Sequence, residues 1–402
     1  MIHMLLNTGK YSELNFIVGN EETINKMQTA PALPPFADNV VSFLNDLSKY
    51  IMSSGRNYSD VMTFGFWCRR SALQQEKNKY DDISSRLGRG IVFHSTPSNV
   101  PVNFAFSLAA GLLAGNANIV RIPAKQFEQV QIICQALNEL LQDSHRDLAS
   151  YICMVKYPPI TGLTDMFSAI CDSRVIWGGD TTIEEIRQSP LKPRANEITF
   201  ADRYSIAIIQ ADEYLKADDK ERIAQNFYND TYFSDQNACT SPRIVIWTGD
   251  NIEKAKAEFW ENIYLLAREK YMLAPTQSVG KLSAFYRVAS QYDVRLEKSE
   301  DQLITRITVS KLDQGLMNYN YHSGFFFEYD MIEFNEILPV CDGRCQTIAY
   351  YGLDKKEIER LVLDLRPCGV DRIVPLGKSM DFSLVWDGYD LIKALSRKIS
   401  VI

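Results

Sequence analysis

Apolar residues at Val40, Val41, Leu44, Leu47 and Ile51 recur every three or four positions, which predicts an amphipathic helix over residues 37–52. A Pro-rich connector, Ala30 to Pro35, precedes it, and a second helix is predicted over 60–77. From residue 88 the pattern alternates. A strand ends near His94, a helix covers 101–114, and the β-branched strand Asn118 to Ile122 is stopped by Pro123. A long helix then runs over about 126–143. The strand Arg174 to Trp177 meets Gly178 and Gly179, a helix begins at Thr182, and the strand Ser205 to Ile209 closes this half. Strands alternating with helices predict a parallel, doubly wound sheet, hence an α/β fold.

A second half repeats the alternation. A helix over 218–232 leads to a loop around Cys239 and the strand Arg243 to Trp247. A helix over 251–270, further strands and a helix over 354–364 follow, and the tail from Asp390 reads as a last helix and strand. The 402 residues suit two domains, or three. The expected division is 1–208, 209–385, and a tail, 386–402, that returns to the first domain.

Composition narrows the class. With a formal charge of −7 and no long basic run, the chain lacks the electrostatic footprint of a nucleic-acid binder. Residues 91–120 carry no Asp, Glu, Lys or Arg, a length that could cross a bilayer. Yet Pro97, Pro101 and four asparagines interrupt it, so buried core is expected and no membrane span. The first residues lack the charged and apolar regions of a signal peptide. Eight scattered cysteines, mostly within apolar runs, fit reduced thiols in a cytoplasmic protein. Four isolated histidines and the pair Cys341 and Cys345 make no ligand set, so no metal is expected.

Three places carry candidate chemistry. Cys239 lies among Ser, Asp, Gln, Asn, Thr and Pro between a helix and a strand, where backbone N–H groups can lower a thiol pKa and yield a nucleophile for carbonyl carbon. The bland alternative is a buried structural thiol, which those polar neighbours disfavour. Asn99, at a strand end before Pro101, either caps the next helix or donates to an oxyanion. Gly178 and Gly179 sit between a strand and a helix whose Thr182 and Glu185 form a capping-box pattern, and such a turn suits phosphate. There is no GxGxxG, P-loop or GxSxG motif.

Taken together, the stretch Thr96 to Lys125 with Pro97, Asn99, Pro101, Gly115 and Pro123, the glycine turn, and Gln236-Asn-Ala-Cys239 resemble the aldehyde dehydrogenase superfamily. Within it the chain resembles the LuxC family of acyl-thioester (fatty acid) reductases. That likeness is carried by Gly88-Arg-Gly90, Asn237-Ala-Cys239-Thr-Ser-Pro-Arg243, Asp371 to Gly377 and Leu384 to Asp390, and covers about 85 to 402. It implies an aldehyde dehydrogenase-like fold of two doubly wound α/β domains with a nicotinamide cofactor site and the active site between them. Residues 1–208 would hold the cofactor and 209–385 the catalytic loop. Cys239 becomes the acyl-accepting nucleophile and Asn99 an oxyanion donor beside the Cys239 N–H. Arg121, Ile122, Pro123, Lys125, Gly178, Gly179, Asp180 and Thr181 become cofactor-binding residues. The donor would be an acyl-CoA or an acyl-carrier or acyl-protein thioester, and the assembly a dimer or tetramer of identical chains.

Two departures sharpen the expectation. Hydrolytic members carry a water-activating Glu upstream of the nucleophile; here Thr199 takes that slot, or Glu197 if the register shifts. A missing base protects the thioester from water. Where a Glu is familiar after Ile122-Pro123-Ala124, this chain has Lys125, which attracts a 2′-phosphate and points to NADPH, with Arg121 as a second candidate. Phe325 to Phe327 and Tyr319 to Tyr321 are candidates for an acyl tunnel, with a core strand as the alternative. The competing functions are an oxidative aldehyde dehydrogenase, a cofactor-free Cys acyltransferase or thioesterase, and a non-catalytic scaffold.

Overall fold

The computed structural model describes residues 13–97, 100–158 and 162–401. The chain divides into two compact units: residues through Ala201 together with Ser383 onward, and Asp202–Phe382.

The first unit is built on β1 (Asn15–Val18), β2 (Arg86–Gly88), β3 (Ile91–Ser95), β4 (Ala117–Arg121), β5 (Ile152–Lys156), β6 (Ser173–Trp177) and β7 (Asn196–Phe200). Six of these form one sheet in the order β1-β5-β4-β3-β6-β7. It is parallel apart from β1, which runs antiparallel to β5. Every residue of β3 and β6 is buried, as expected for strands covered on both faces. Helices Asn103–Leu113, Glu128–Gln142, Leu163–Ile170 and Asp180–Arg187 make the crossovers. The chain leaves β3 toward β4 on one side and returns to β6 on the other, so the topological switch lies between β3 and β6. β2 pairs instead with the C-terminal strand Ser396–Lys398, and the Asn116 side chain ties that region to the sheet by donating to the Leu395 carbonyl at 2.9 Å.

The second unit contains β8 (Tyr204–Gln210), β9 (Pro242–Thr248), β10 (Val294–Leu296), β11 (Thr305–Val309), β12 (Phe325–Asp330), β13 (Cys345–Tyr351) and β14 (Arg372–Pro375), ordered β10-β11-β12-β9-β8-β13-β14. Only β10 is antiparallel to its neighbour. The period-two rule of a strand sorts its core: Ile206, Ile208, Ile244, Ile246, Phe325 and Phe327 pack on one face. Ala207, Ile209, Val245, Trp247 and Phe326 pack on the other.

Several expectations shift. The predicted helix over 60–77 is two, Ser59–Trp67 and Arg70–Lys77. The strand at 205–209 does not close the first half: β8 pairs with β9 and β13 in the second sheet, because the chain crosses over at Ala201 to Arg203 with neither Gly nor Pro to mark it. Thr182 is not a helix cap, since the helix opens at Asp180 with Gly179 in the capping position. Phe325, Phe326 and Phe327 are 1%, 0% and 0% exposed, so they form a core strand and not a tunnel wall. Among the described residues no helix is long and apolar enough to cross a membrane.

Candidate active site

In the first unit, the carboxyl ends of β3, β4 and β6 open into a cleft of about 960 Å³ at the topological switch. Ser95, Thr96, Arg121, Ile122 and Pro123 form one part of its lining, and Tyr157, Trp177, Gly178, Gly179 and Thr182 another. Gly178 leaves room for its neighbour: a Cβ there would sit 3.1–3.2 Å from the Thr182 side chain, which would have to shift by a few tenths of an ångström. The helix Asp180–Arg187 opens from Gly179 without a side-chain cap, and Gly178, Gly179 and Thr182 bring that helix N-terminus to the cleft. The Arg121 guanidinium lies 4.5 Å from the Tyr157 ring centre and donates to the Tyr157 carbonyl at 3.3 Å.

Of the expected cofactor residues, Arg121, Ile122, Pro123, Gly178 and Gly179 line the cleft. Lys125, Asp180 and Thr181 are not part of its lining; Lys125 is exposed, with its ammonium 5.1 Å from the Phe127 ring centre. Pattern reading missed Tyr157, Trp177 and the acidic pair Asp165 and Glu185, which also border the cleft. A signal for Trp177 existed, since it ends the strand that enters the glycine turn. Behind the cleft, His94 is wholly buried, between Ser107 (2.7 Å at Nδ1) and Asn118 (3.0 Å at Nε2). The Trp177 indole N–H donates to the same Ser107 hydroxyl at 2.9 Å. Burial pushes the His94 pKa down to about 4, so the ring is neutral.

Glu197, the alternative water-activating base, is engaged at both oxygens. Arg174 donates to Oε2 at 2.5 and 2.8 Å, and Arg187 to Oε1 at 2.7 Å. A carboxylate held this way ties β6 to β7.

In the second unit, the Cys239 loop enters β9, so it lies at the amino edge of the sheet. Six cysteines are buried and Cys368 is exposed, whereas Cys239 is half-buried. Burial pushes the Cys134, Cys153 and Cys171 thiols up to about 12, which makes them inert. The loop around Cys239 is fixed by side chains. Asp235 and Gln236 both adopt left-handed backbone, with φ of 53° and 52°, a conformation that costs non-glycine residues energy and needs support. Gln236 supplies it. Its fully buried amide oxygen accepts the N–H groups of Gly324 (2.7 Å) and Phe325 (3.0 Å). Its amide nitrogen faces the carbonyls of Pro242 (3.2 Å) and Phe325 (3.3 Å).

The Asp235 carboxylate accepts from Tyr271 and, at 3.0 Å, from Gln277, and lies 3.4 Å from His322 Nδ1. Ser205, at the amino end of β8, donates to the Cys239 carbonyl at 2.8 Å. Thr240 meets the Met380 sulfur at 3.1 Å. The segment bearing Met380 is anchored by Asp230, which accepts from the backbone N–H of Gly377 (2.6 Å) and Ser379 (3.1 Å). Burial pushes the Asp230 pKa up to about 6, against the lowering effect of those N–H groups. Asn99, the expected oxyanion donor, lies outside the described residues. Among the described residues no group of three or more His, Cys, Asp or Glu could hold a metal.

The second unit thus holds a half-buried thiol on a braced loop, and the first a glycine-lined cleft at a parallel-sheet switch. Known proteins decide the family. The acyl-CoA reductase (LuxC) family model matches residues 25–398. This chain belongs to the LuxC family. LuxC relatives include a long-chain acyl-protein thioester reductase of Vibrio harveyi, 25% identical over 357 residues, covering 83% of this chain and 70% of that protein. A protein of the same description from Aliivibrio fischeri is 24% identical, covering 73% of this chain and 60% of its own length. Solved structures show the aldehyde dehydrogenase fold. An NAD-dependent benzaldehyde dehydrogenase from Corynebacterium glutamicum has a TM-score of 0.65 at 12% identity, covering 94% and 87% of the two chains. The glyceraldehyde-3-phosphate dehydrogenase GapN from Methanocaldococcus jannaschii, complexed with NADP, has a TM-score of 0.63 at 13% identity, covering 94% and 92%.

Proposed function

We propose that this chain reduces a long-chain acyl thioester to the aldehyde through an acyl-Cys239 intermediate, with NADPH as the reductant. Membership of an acyl-CoA reductase family and the names of the two relatives support the reaction class. The observation that carries the residue assignment is the loop: among eight cysteines, Cys239 combines partial exposure with a backbone braced by buried side chains.

The Cys239 thiolate attacks the carbonyl carbon of the donor thioester. The oxyanion is held by the Cys239 N–H and the Asn99 amide, donors that act where charge develops. Collapse expels the donor thiolate, which takes up a proton and leaves as CoA or a protein thiol. The acyl group stays on sulfur. The first unit's cleft suits a nicotinamide cofactor: Gly178 and Gly179 lead into a helix N-terminus, the kind of turn that takes a pyrophosphate, and Gly178 keeps bulk away from the Thr182 side chain. When bound, the cofactor supplies the hydride. Release then breaks the carbon–sulfur bond to Cys239 as the carbonyl re-forms, freeing the aldehyde and returning the thiolate. No step consumes water, and both Glu197 oxygens are engaged, by Arg174 and Arg187, which supports a site without a water-activating base. The preference for NADPH rests on Arg121, a cation at the cleft, with Lys125 further along the same segment.

The test follows absorbance and aldehyde while the protein is incubated with acyl-CoAs of graded length and either NADPH or NADH. The expected result is NADPH oxidation matched by aldehyde, and a labelled acyl group covalently retained by the wild type but not by Cys239→Ala. Retention by that variant overturns the assignment. Acid formed from aldehyde with no thiol present points to an oxidative dehydrogenase, and acyl transfer without any change in NADPH points to an acyltransferase or thioesterase.

A further inference from the structure

Arg243 ends the Cys239-Thr-Ser-Pro-Arg243 stretch. Its guanidinium is turned back under the loop. Nη2 donates to the Gln236 carbonyl at 3.2 Å, three residues before the nucleophile, and Nη1 donates to Asn320 Oδ1 at 2.5 Å. Nε is buried without a partner. Among the described residues no carboxylate forms an ion pair with Arg243. Burying a guanidinium against neutral acceptors alone is costly, and a charge kept there implies something it serves.

We infer that Arg243 is a positioning residue for Cys239: its guanidinium clamps the loop at the Gln236 carbonyl and supplies the positive charge that holds the sulfur as a thiolate. The inference rests on the reading of Cys239 as the nucleophile and extends it. Burial pulls the Arg243 pKa down, and the charges that favour its protonated form are Cys239 first and Asp202 second. Attraction between two groups is mutual, so a guanidinium favoured by the thiolate favours the thiolate in turn. The other charged groups near the loop are already engaged. Asp235 is held by Tyr271, Gln277 and His322. Lys281 is directed onto the carbonyls of Leu303 and Ser323, at 3.4 and 2.7 Å, and Asp381 pairs with Lys378 at 3.0 Å.

The test is the pH dependence of Cys239 alkylation by iodoacetamide in the full chain, with the modified cysteine identified by peptide mass. The wild-type midpoint is expected below the roughly 8.5 of a free thiol. Arg243→Met should raise it by about one unit or more, which lowers alkylation about tenfold at pH 7. Arg243→Lys, which keeps the charge, should recover most of that shift. Asn320→Asp leaves Arg243 in place but sets a carboxylate against the same guanidinium; it should also raise the midpoint, and it serves should Arg243→Met fail to fold. A midpoint equal to wild type in Arg243→Met or in Asn320→Asp overturns the inference, as does a lysine variant shifted as far as the methionine one. Alkylation needs neither acyl donor nor cofactor. If the wild type accepts no acyl group from any thioester, the functional reading falls while this profile still judges Arg243.

Discussion

Each unit of this chain is a parallel sheet, yet the candidate chemistry sits at opposite ends of the two. In the first unit the cleft lies at the carboxyl ends of β3, β4 and β6, where helix N-termini and glycine turns offer backbone N–H groups. In the second, Cys239 lies at the amino end of β9, where no such helix start is shared. The two edges are therefore built from different materials. The carboxyl edge offers main chain and small residues, Gly178 and Gly179 among them. The amino edge must be held by side chains: Gln236, Asp235, Ser205 and Arg243 each reach to another element. A doubly wound sheet gives a ligand crevice almost for nothing at one edge, while a nucleophile at the other has to be braced residue by residue.

The sharpest separation of the two edges comes from Cys239→Ala. It should lower thioester reduction by about 10⁴-fold or more, the scale of losing a covalent nucleophile. Cofactor affinity, measured by fluorescence titration, should stay within about twofold of wild type, since the cleft lining belongs to the first unit. A matching loss of cofactor affinity would break the comparison.

Gln236→Ala should come next. It strands the N–H groups of Gly324 and Phe325 in a buried site and removes the support of a left-handed backbone. The expected cost is about 2–4 kcal/mol by urea denaturation, with activity falling alongside it. A stability loss under about 1 kcal/mol would show that the loop is not held by side chains.

The units should also answer acid with opposite sign. Native His94 takes a proton only near pH 4, while the unfolded residue does so near its ordinary value of 6.5. Its contribution is present above pH 6.5 and is lost as pH falls toward about 4, roughly 3 kcal/mol in full. Native Asp230 keeps its proton up to about 6, against 3.8 when unfolded. Its contribution is present below about pH 4 and is lost as pH rises to about 6, again by roughly 3 kcal/mol. Relative to wild type, Tm measured across pH 4–6.5 should therefore change more positively with rising pH in Asp230→Asn and more negatively in His94→Gln. Identical slopes in both variants would remove the contrast.

The smallest effect concerns the cleft alone. Arg121→Met should weaken NADPH binding about tenfold, or 1.4 kcal/mol, and NADH binding far less. Lys125→Met should matter less than Arg121→Met, because Lys125 is exposed and does not line the cleft. Equal losses for both cofactors would assign Arg121 to the cleft's shape and not to a 2′-phosphate.

Local signals carried much of this into the sequence. Periodicity located the helices Asp38–Ser54, Glu128–Gln142 and Ile252–Lys270 to within a few residues, and glycines marked the turn after β6. What strand periodicity cannot report is membership. β8 reads as an ordinary apolar strand whichever sheet it joins, and the crossover before it carries no turn residue. Pattern reading also passes over β5 and β7, five-residue strands, although Pro158 and Pro159 follow the first in sequence and Pro190 and Pro193 precede the second. The same limit applies at the site. Cys239 and the glycine turn are conspicuous in sequence, but Gln236 works through Gly324, 88 residues away, and Arg243 through Asn320, 77 residues away. A tyrosine and a tryptophan at the cleft look like core residues until the strand ends are brought together. Lys125 is a charge in a familiar slot whose side chain stands over Phe127, a placement that the sequence pattern does not report.

The Gln236 amide has one more consequence. The first N–H groups entering β12 are bonded to that side chain and not to a neighbouring strand. Their exchange with deuterated water is therefore set by how often this one side chain lets go, not by the opening of the ladder. The amides of Gly324 and Phe325 thus act as a built-in gauge of the nucleophile loop. Their protection should follow the fraction of molecules whose loop is seated, and rise when an acyl group is held on the sulfur.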